Sequence, residues 1–210
     1  MRPDLVGDLT EVPSQTRLQR APDFTGGRLN SFRQIFLRHG LPGALLGVML
    51  LALPGMWILL ESSTSPDHTF LYLSWGIAIA FALSIYAAVI DKGWRPMQLG
   101  WVLYLGLLSL WEEWLFRIAM PSVLSTLGIS LFAAVIISNV AFGAMHYFTL
   151  RWKWPWCFGA FLGGLALSRQ LEVHQDLLLI TAYHWIGTFL NTPRSPGSRY
   201  KESEPKEDSI

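Results

Sequence analysis

Charge is scarce in this chain. Of 210 residues only 15% are Asp, Glu, Lys or Arg, against roughly 25% in an average protein, and the net charge is +1. That balance offers no basic footprint for a nucleic acid. Cysteine is scarcer still: Cys157 stands alone, which excludes an internal disulfide. Residues 1–35 lack the apolar core of a cleavable signal peptide, and no internal repeat is visible. What the chain has instead is apolar bulk. Hydrophobic residues make up 51%, there are ten tryptophans, and the mean hydropathy is +0.34. Trp gathers at membrane–water interfaces, so the composition describes a membrane protein.

About 20 apolar residues are needed for a helix to cross a bilayer. The sequence predicts an all-α, polytopic membrane helix bundle of about six transmembrane helices. Leu41–Leu60 is the first, bent or trimmed by Pro42 and Pro54, and Phe70–Ile90 the second. Met97–Ala119, Ile129–Phe148, Pro155–Ser168 and Leu177–Leu190 follow. The third of these later spans is short, with small residues (Gly159, Ala160, Gly163, Gly164) spaced for close helix contact. Residues 1–35 and 192–210 read as disordered tails, around a membrane domain at 36–191. Lys and Arg gather in the N-terminal tail, in 91–96, in 149–154 and in the C-terminal tail, and are absent from 61–69 and 118–128. With six spans this puts both termini in the cytoplasm. Only Arg169 breaks the alternation.

Against that background, S-L-W-E-E-W-L-F-R at 109–117 stands out, because the thirteen residues Leu99–Trp111 carry no charge. A charge at mid-helix costs about 2.5–3.5 kcal/mol on insertion scales and usually marks function. Glu113 and Arg117 are four apart and share a helix face. Glu112 is turned about 100° away, so one glutamate is held by arginine and the other is left for chemistry. A helix end at the interface, with Trp111 and Trp114 in the aromatic belt and Arg117 snorkelling, is the plainer reading. It weakens because His146 and His184 also lie in apolar runs. His146 closes F-G-A-M-H, with Phe142 one turn earlier and Asn139 seven residues earlier. His184 shares a face with Thr188 and Asn191. Glu and His together activate a water, as general base or by holding a metal. His39, His68 and His174 are expected at solvated helix ends or in loops, without a role, and Cys157 as a small apolar filler.

E-E-x-x-x-R, then F-x-x-x-H, then a histidine on a later helix with Asn four residues on, is the pattern of the CPBP intramembrane proteases, which include the CAAX prenyl endopeptidases and the bacterial Abi proteins. The chain resembles that family over about residues 97–191. The resemblance implies that Glu112 is the base that activates water, that His146 helps hold the water, and that His184 is an oxyanion or water ligand. Glu113 and Arg117 would be the supporting pair. No cofactor is required; a divalent metal, if bound, would sit on Glu112, His146 and His184. The expected substrate is a membrane-anchored protein, and the expected location is the inner (cytoplasmic) membrane of a bacterium. One departure stands out: Thr188 occupies the Asn position, with Asn191, one turn on, as the available substitute.

Counting along the helices gives a further expectation. Glu112 lies about 22 Å from Met97, toward the outer face, so the site would open outward or laterally. That would suit exported proteins with C-terminal anchors, as processed by myxosortase-like members. The same count puts His146 about 25 Å from Ile129, near the inner face and too far from Glu112. Either segment 118–128 is itself buried and realigns the depths, or the helices tilt and break near Asn139 and Gly143. Two other functions use the same residues: a non-catalytic membrane scaffold or immunity partner, and a proton-coupled transporter.

Overall fold

The computed structural model describes residues 17–24, 26–64 and 68–196, and among them the architecture is an all-helical bundle without strands. Helix α1 spans Phe32–Leu51. It starts nine residues before the expected Leu41 because Ser31 and Gln34 form a capping box, which satisfies orphan N–H groups of the first turn. It stops at Leu51 rather than Leu60. Pro54 offers no N–H, Gly55 takes φ 80°, and the short α2 (Met56–Ser62) begins after it. Helices α3 (Thr69–Ile90), α4 (Pro96–Glu113), α5 (Met120–Thr126), α6 (Leu131–Thr149), α7 (Trp154–His174) and α8 (Leu177–Asn191) follow. Of these, α1, α3 and α6 are each long and apolar enough to cross a membrane. Helix α3 turns Phe70, Trp75, Ile77, Phe81 and Val89 outward and buries only Leu83, Ser84 and Ala87. A helix apolar all round with so little buried is solvated by lipid.

Two widened turns shape the bundle. In α1 the stretch Phe36–Gly40 is π-helical, with Leu41 N–H bonded to Phe36 O, and Pro42 comes next. Between α4 and α5 the stretch Trp114–Ala119 is π-helical, with Met120 N–H bonded to Leu115 O, and Pro121 comes next. Proline has no N–H to give and its ring crowds the carbonyl four residues back. The wider turn relieves that crowding, so neither helix breaks. Residues 96–126 therefore run as one continuous helical path through a segment expected to lie outside the spans.

This removes the mismatch in depth. From Glu112 the chain runs fourteen residues to Thr126, reverses through 127–130, and returns fifteen residues from Leu131 to His146. At about 1.5 Å per residue the two legs agree to within about 2 Å. Glu112 and His146 end at one level.

Helix α4 is central. Trp185 of α8 lies against it, donating from Nε1 to Val102 O at 2.8 Å. Only glycine fits opposite, since a Cβ at Gly106 would stand 2.8 Å from the indole. The expected N-terminal tail is corrected in part. Leu18, Gln19, Leu29 and Ile35 are buried, because Gln19 exchanges two hydrogen bonds with the backbone of Leu29 and Arg151 pairs with Asp23 at 2.9 Å. At the other end Thr192 and Ser195 are buried too, and Thr192 O accepts from Trp101 Nε1. Residues 1–16, 25 and 197–210 of the two tails lie outside the described residues. In α7 the stripe of small residues is not a uniform contact face. A Cβ at Gly159 or Gly163 would meet nothing, whereas one at Gly164 would meet side chains of three residues.

Candidate active site

Five buried or nearly buried ionisable side chains from α1, the α4–π junction, α6 and α8 converge, and a sixth, Arg117, braces them. The adjacent glutamates face different partners, as their angular offset requires. Glu113 is fully buried. It pairs through Oε2 with Arg117 Nε at 3.1 Å and through Oε1 with His184 Nδ1 at 2.7 Å. Glu112 pairs through Oε1 with His39 Nε2 at 2.8 Å, and its Oε2 stands 3.5 Å from His184 Nε2. His184 thus bridges both acids. His146 completes the group: its Nε2 or Nδ1, a Glu112 oxygen and a His39 nitrogen all lie within 4.8 Å of one another.

The hydrogen bonds fix where protons sit. His146 Nδ1 is 2.8 Å from Phe142 O. A carbonyl only accepts, so Nδ1 carries the hydrogen, and Nε2 of the neutral ring is a lone pair. Thr149 donates its hydroxyl to Met145 O, so it accepts from His39 Nδ1 at 2.7 Å. His39 Nδ1 is therefore a donor, and one further proton is shared between His39 Nε2 and Glu112. A lone buried carboxylate is expensive. The His39 imidazole, 2.8 Å away, is the nearest partner Glu112 has.

Phe142 is the wedge that holds the rings. Its centroid lies 4.7 Å from His146, 5.7 Å from His184 and 5.3 Å from Phe116, and the Arg117 guanidinium stacks over it at 4.5 Å. Asn139 does not reach the cluster of imidazoles. It bonds Val135 O and Ser168 Oγ on the Arg117 side, where a Cβ at Gly164 would strike Asn139 Oδ1 and stand 3.1 Å from Arg117 Nη2.

A cavity opens beside Glu112, lined also by His39, His146, Tyr104, Trp101, Trp152, Thr188 and Leu18. Its interior, about 40 Å³, exceeds the roughly 10–15 Å³ one water needs. Thr188 faces it; Asn191 does not, being exposed and bonded to Gly187 O. Tyr104 Oη is buried here without a hydrogen-bond partner. Leu18, Gln19, Leu150, Trp152 and Thr192 line it as well. They lie toward the end of the bundle that carries the connections 91–96 and 149–154.

Residues 94–190 match the family model described as Type II CAAX prenyl endopeptidase Rce1-like. This segment belongs to the CAAX prenyl endopeptidase family. No curated protein and no solved structure matched the chain. With its apolar helices, the CAAX endopeptidase segment makes this an integral membrane protein, and Glu112, Glu113, Arg117, His146 and His184 all lie inside it.

His39 lies outside the CAAX endopeptidase segment, on α1, and is the correction of greatest consequence. It was expected at a solvated helix end, yet it is 2% exposed and makes the shortest contact to Glu112. Only the Leu41-Pro42 step, with its widened turn, marks the place in sequence. Tyr104 and Trp152 were also missed, since an aromatic in an apolar run carries no signal. His68 and His174 are exposed, as expected. Replacing His39 with Ala strips Glu112 of its buried partner, and activity is expected to fall by about 10²-fold or more. An assay of His39→Ala beside His146→Ala checks this; full activity in His39→Ala would remove the residue from the site.

Proposed function

We propose that the protein is an intramembrane endopeptidase that cleaves the C-terminal tail of a membrane-bound protein with a water activated by Glu112. The observation that carries this reading is the cavity of water-holding size beside which a Glu112 carboxylate oxygen and a ring nitrogen of His146 lie within 4.8 Å of each other. Both accept hydrogen bonds. A water between them is held by its two hydrogens with its oxygen free to attack. Glu112 takes a proton from that water as the oxygen bonds to the scissile carbonyl carbon. The resulting oxyanion needs donors, and the Tyr104 hydroxyl, which lines the cavity, would be one. Collapse breaks the C–N bond, and the proton on Glu112 passes to the leaving amine. Glu113 and Arg117 hold His184. Leu150 and Trp152, from the Arg- and Lys-rich connection 149–154, line the cavity, which supports a substrate tail presented from that side, as the family's name implies for prenylated C-termini, rather than an exported anchor.

Tyr104→Phe removes one hydroxyl and is expected to lower kcat by about 10²-fold with little change in KM, the pattern of an oxyanion donor. Equal kinetics in the two proteins would exclude Tyr104 from the reaction.

A divalent cation is the second reading, favoured by the same donor set. His39, Glu112 and His146 are the set that fits, with His39 in the place expected of His184. The bonds from His39 to Thr149 and from His146 to Phe142 O are the kind that orient metal-binding imidazoles. Ligands of one tetrahedral zinc lie about 3.3 Å apart, so the 2.8 Å His39–Glu112 contact would open slightly. Dialysis against a strong chelator separates the readings. Retained cleavage fits water activation by Glu112 alone; loss restored by added zinc fits the metal.

A further inference from the structure

The loop after α6 presents a short backbone edge beside the cavity, which Trp152 lines. Arg151 takes a positive φ of 59°, a strained value for a residue with a Cβ. Trp152 uses its own N–H on His146 O and sets its ring, tilted by 47°, 4.6 Å from the His146 ring. The edge is therefore tied to a residue of the site. Residues 18–20 lie on it as an antiparallel bridge, Gln19 opposite Trp152. Arg20 N–H donates to Arg151 O and Lys153 N–H donates to Leu18 O, both at 2.8 Å. The Leu18 side chain, 1% exposed, points into the cavity that also holds Glu112 and His146. The segment is held down by Arg20 over the Tyr147 ring at 4.0 Å and by Asp23 on Arg151.

An added strand of this kind is a general way to hold a peptide: backbone bonds give affinity for any sequence, and a pocket reads one side chain. We infer that Arg151–Lys153 is the substrate's backbone-binding edge, that the seat of Leu18 is an aliphatic side-chain subsite, and that residues 18–20 fill both as an internal stand-in until a substrate displaces them. This rests on the endopeptidase reading. The bound peptide pairs antiparallel with 151–153 and places an aliphatic residue where Leu18 sits, which brings its backbone alongside Trp152 and His146.

The test uses the full-length protein in detergent and two readouts. Leu18→Asp puts an acid into an apolar seat beside Glu112 and expels the segment; Leu18→Ala loosens it more gently. Binding is read in the Glu112→Gln background by anisotropy of a fluorescent farnesylated peptide ending in a C-a-a-X sequence. A site freed of an internal occupant binds in proportion to the fraction open, so Leu18→Asp is expected to tighten binding about tenfold, with Leu18→Ala between. Methylating the peptide's backbone nitrogen that pairs with Arg151 O should undo the gain. With Glu112 intact, kcat/KM rises by the same factor. Tighter binding without any cleavage would keep the edge and remove the endopeptidase. Cleavage and binding indifferent to both Leu18 variants, or indifferent to methylation, would overturn the edge and leave the endopeptidase standing.

Discussion

Glu112→Gln is expected to reduce peptide cleavage by about 10²–10⁴-fold or more, the range lost when a positioned general base is removed, while leaving the fold intact. Glutamine has the shape of glutamate, and its amide N–H can donate to Nε2 of a neutral His39 across the present 2.8 Å. What it cannot do is take a proton from water. With the acid gone and His39 neutral, that pair carries no unmatched buried charge. Thermal midpoint and helical circular dichroism should match the parent protein. A scaffold or immunity partner that keeps the cluster for packing would show no functional change in the same variant. A proton-coupled transporter would lose flux in liposomes and never release a peptide. The two measurements together, stability and product, therefore separate the three functions.

The largest effect on stability is expected at Arg117. Its pair with Glu113 is fully enclosed, with both side chains at 0% exposure, and Glu113 also carries His184 at 2.7 Å. Arg117→Met keeps the volume and removes the charge. Glu113 then faces the interior with one partner fewer. Breaking a buried pair on one side typically costs about 3–5 kcal/mol. Unfolding in mixed detergent should report a loss of that order. Arg117→Met/Glu113→Gln should recover part of it, since the orphaned charge is gone. Activity should stay low in the double variant, because His184 has lost the carboxylate that orients it. A loss below about 1 kcal/mol in the single variant, or no recovery in the double, would contradict the assignment of this pair as the brace of the site.

The acids and histidines of the later helices were legible because each is costly where it stands. In a run such as Leu99–Trp111, with no charge, two glutamates followed by Arg117 demand an explanation, and the 100° turn between neighbours was enough to divide their partners. Depth was not legible. It depended on whether segment 118–128 was itself buried, one of two alternatives that the sequence left open. The widened turn at Trp114–Ala119 accommodates Pro121, an effect of backbone hydrogen bonding that no side-chain pattern announces. The same device hid His39. Pro42 suggested a helix end nearby, yet the turn at Phe36–Gly40 carries the helix through and turns His39 onto Glu112. The N-terminal segment was misread for a different reason. Its polar composition is that of a tail, but Leu18 and Leu29 are buried, and Gln19 satisfies the backbone between them. Thr188 faces the cavity, whereas Asn191 is exposed at the last position of α8.

The most direct test of water activation on a peptide bond is mass spectrometry of a farnesylated C-a-a-X peptide incubated with the purified protein in ¹⁸O-water, with and without hydroxylamine. The expected product ends at the farnesylated cysteine, carries one ¹⁸O in its new carboxylate, and gives no hydroxamate. An intact peptide, or a hydroxamate trapped from a covalent acyl intermediate, would contradict the role given to Glu112.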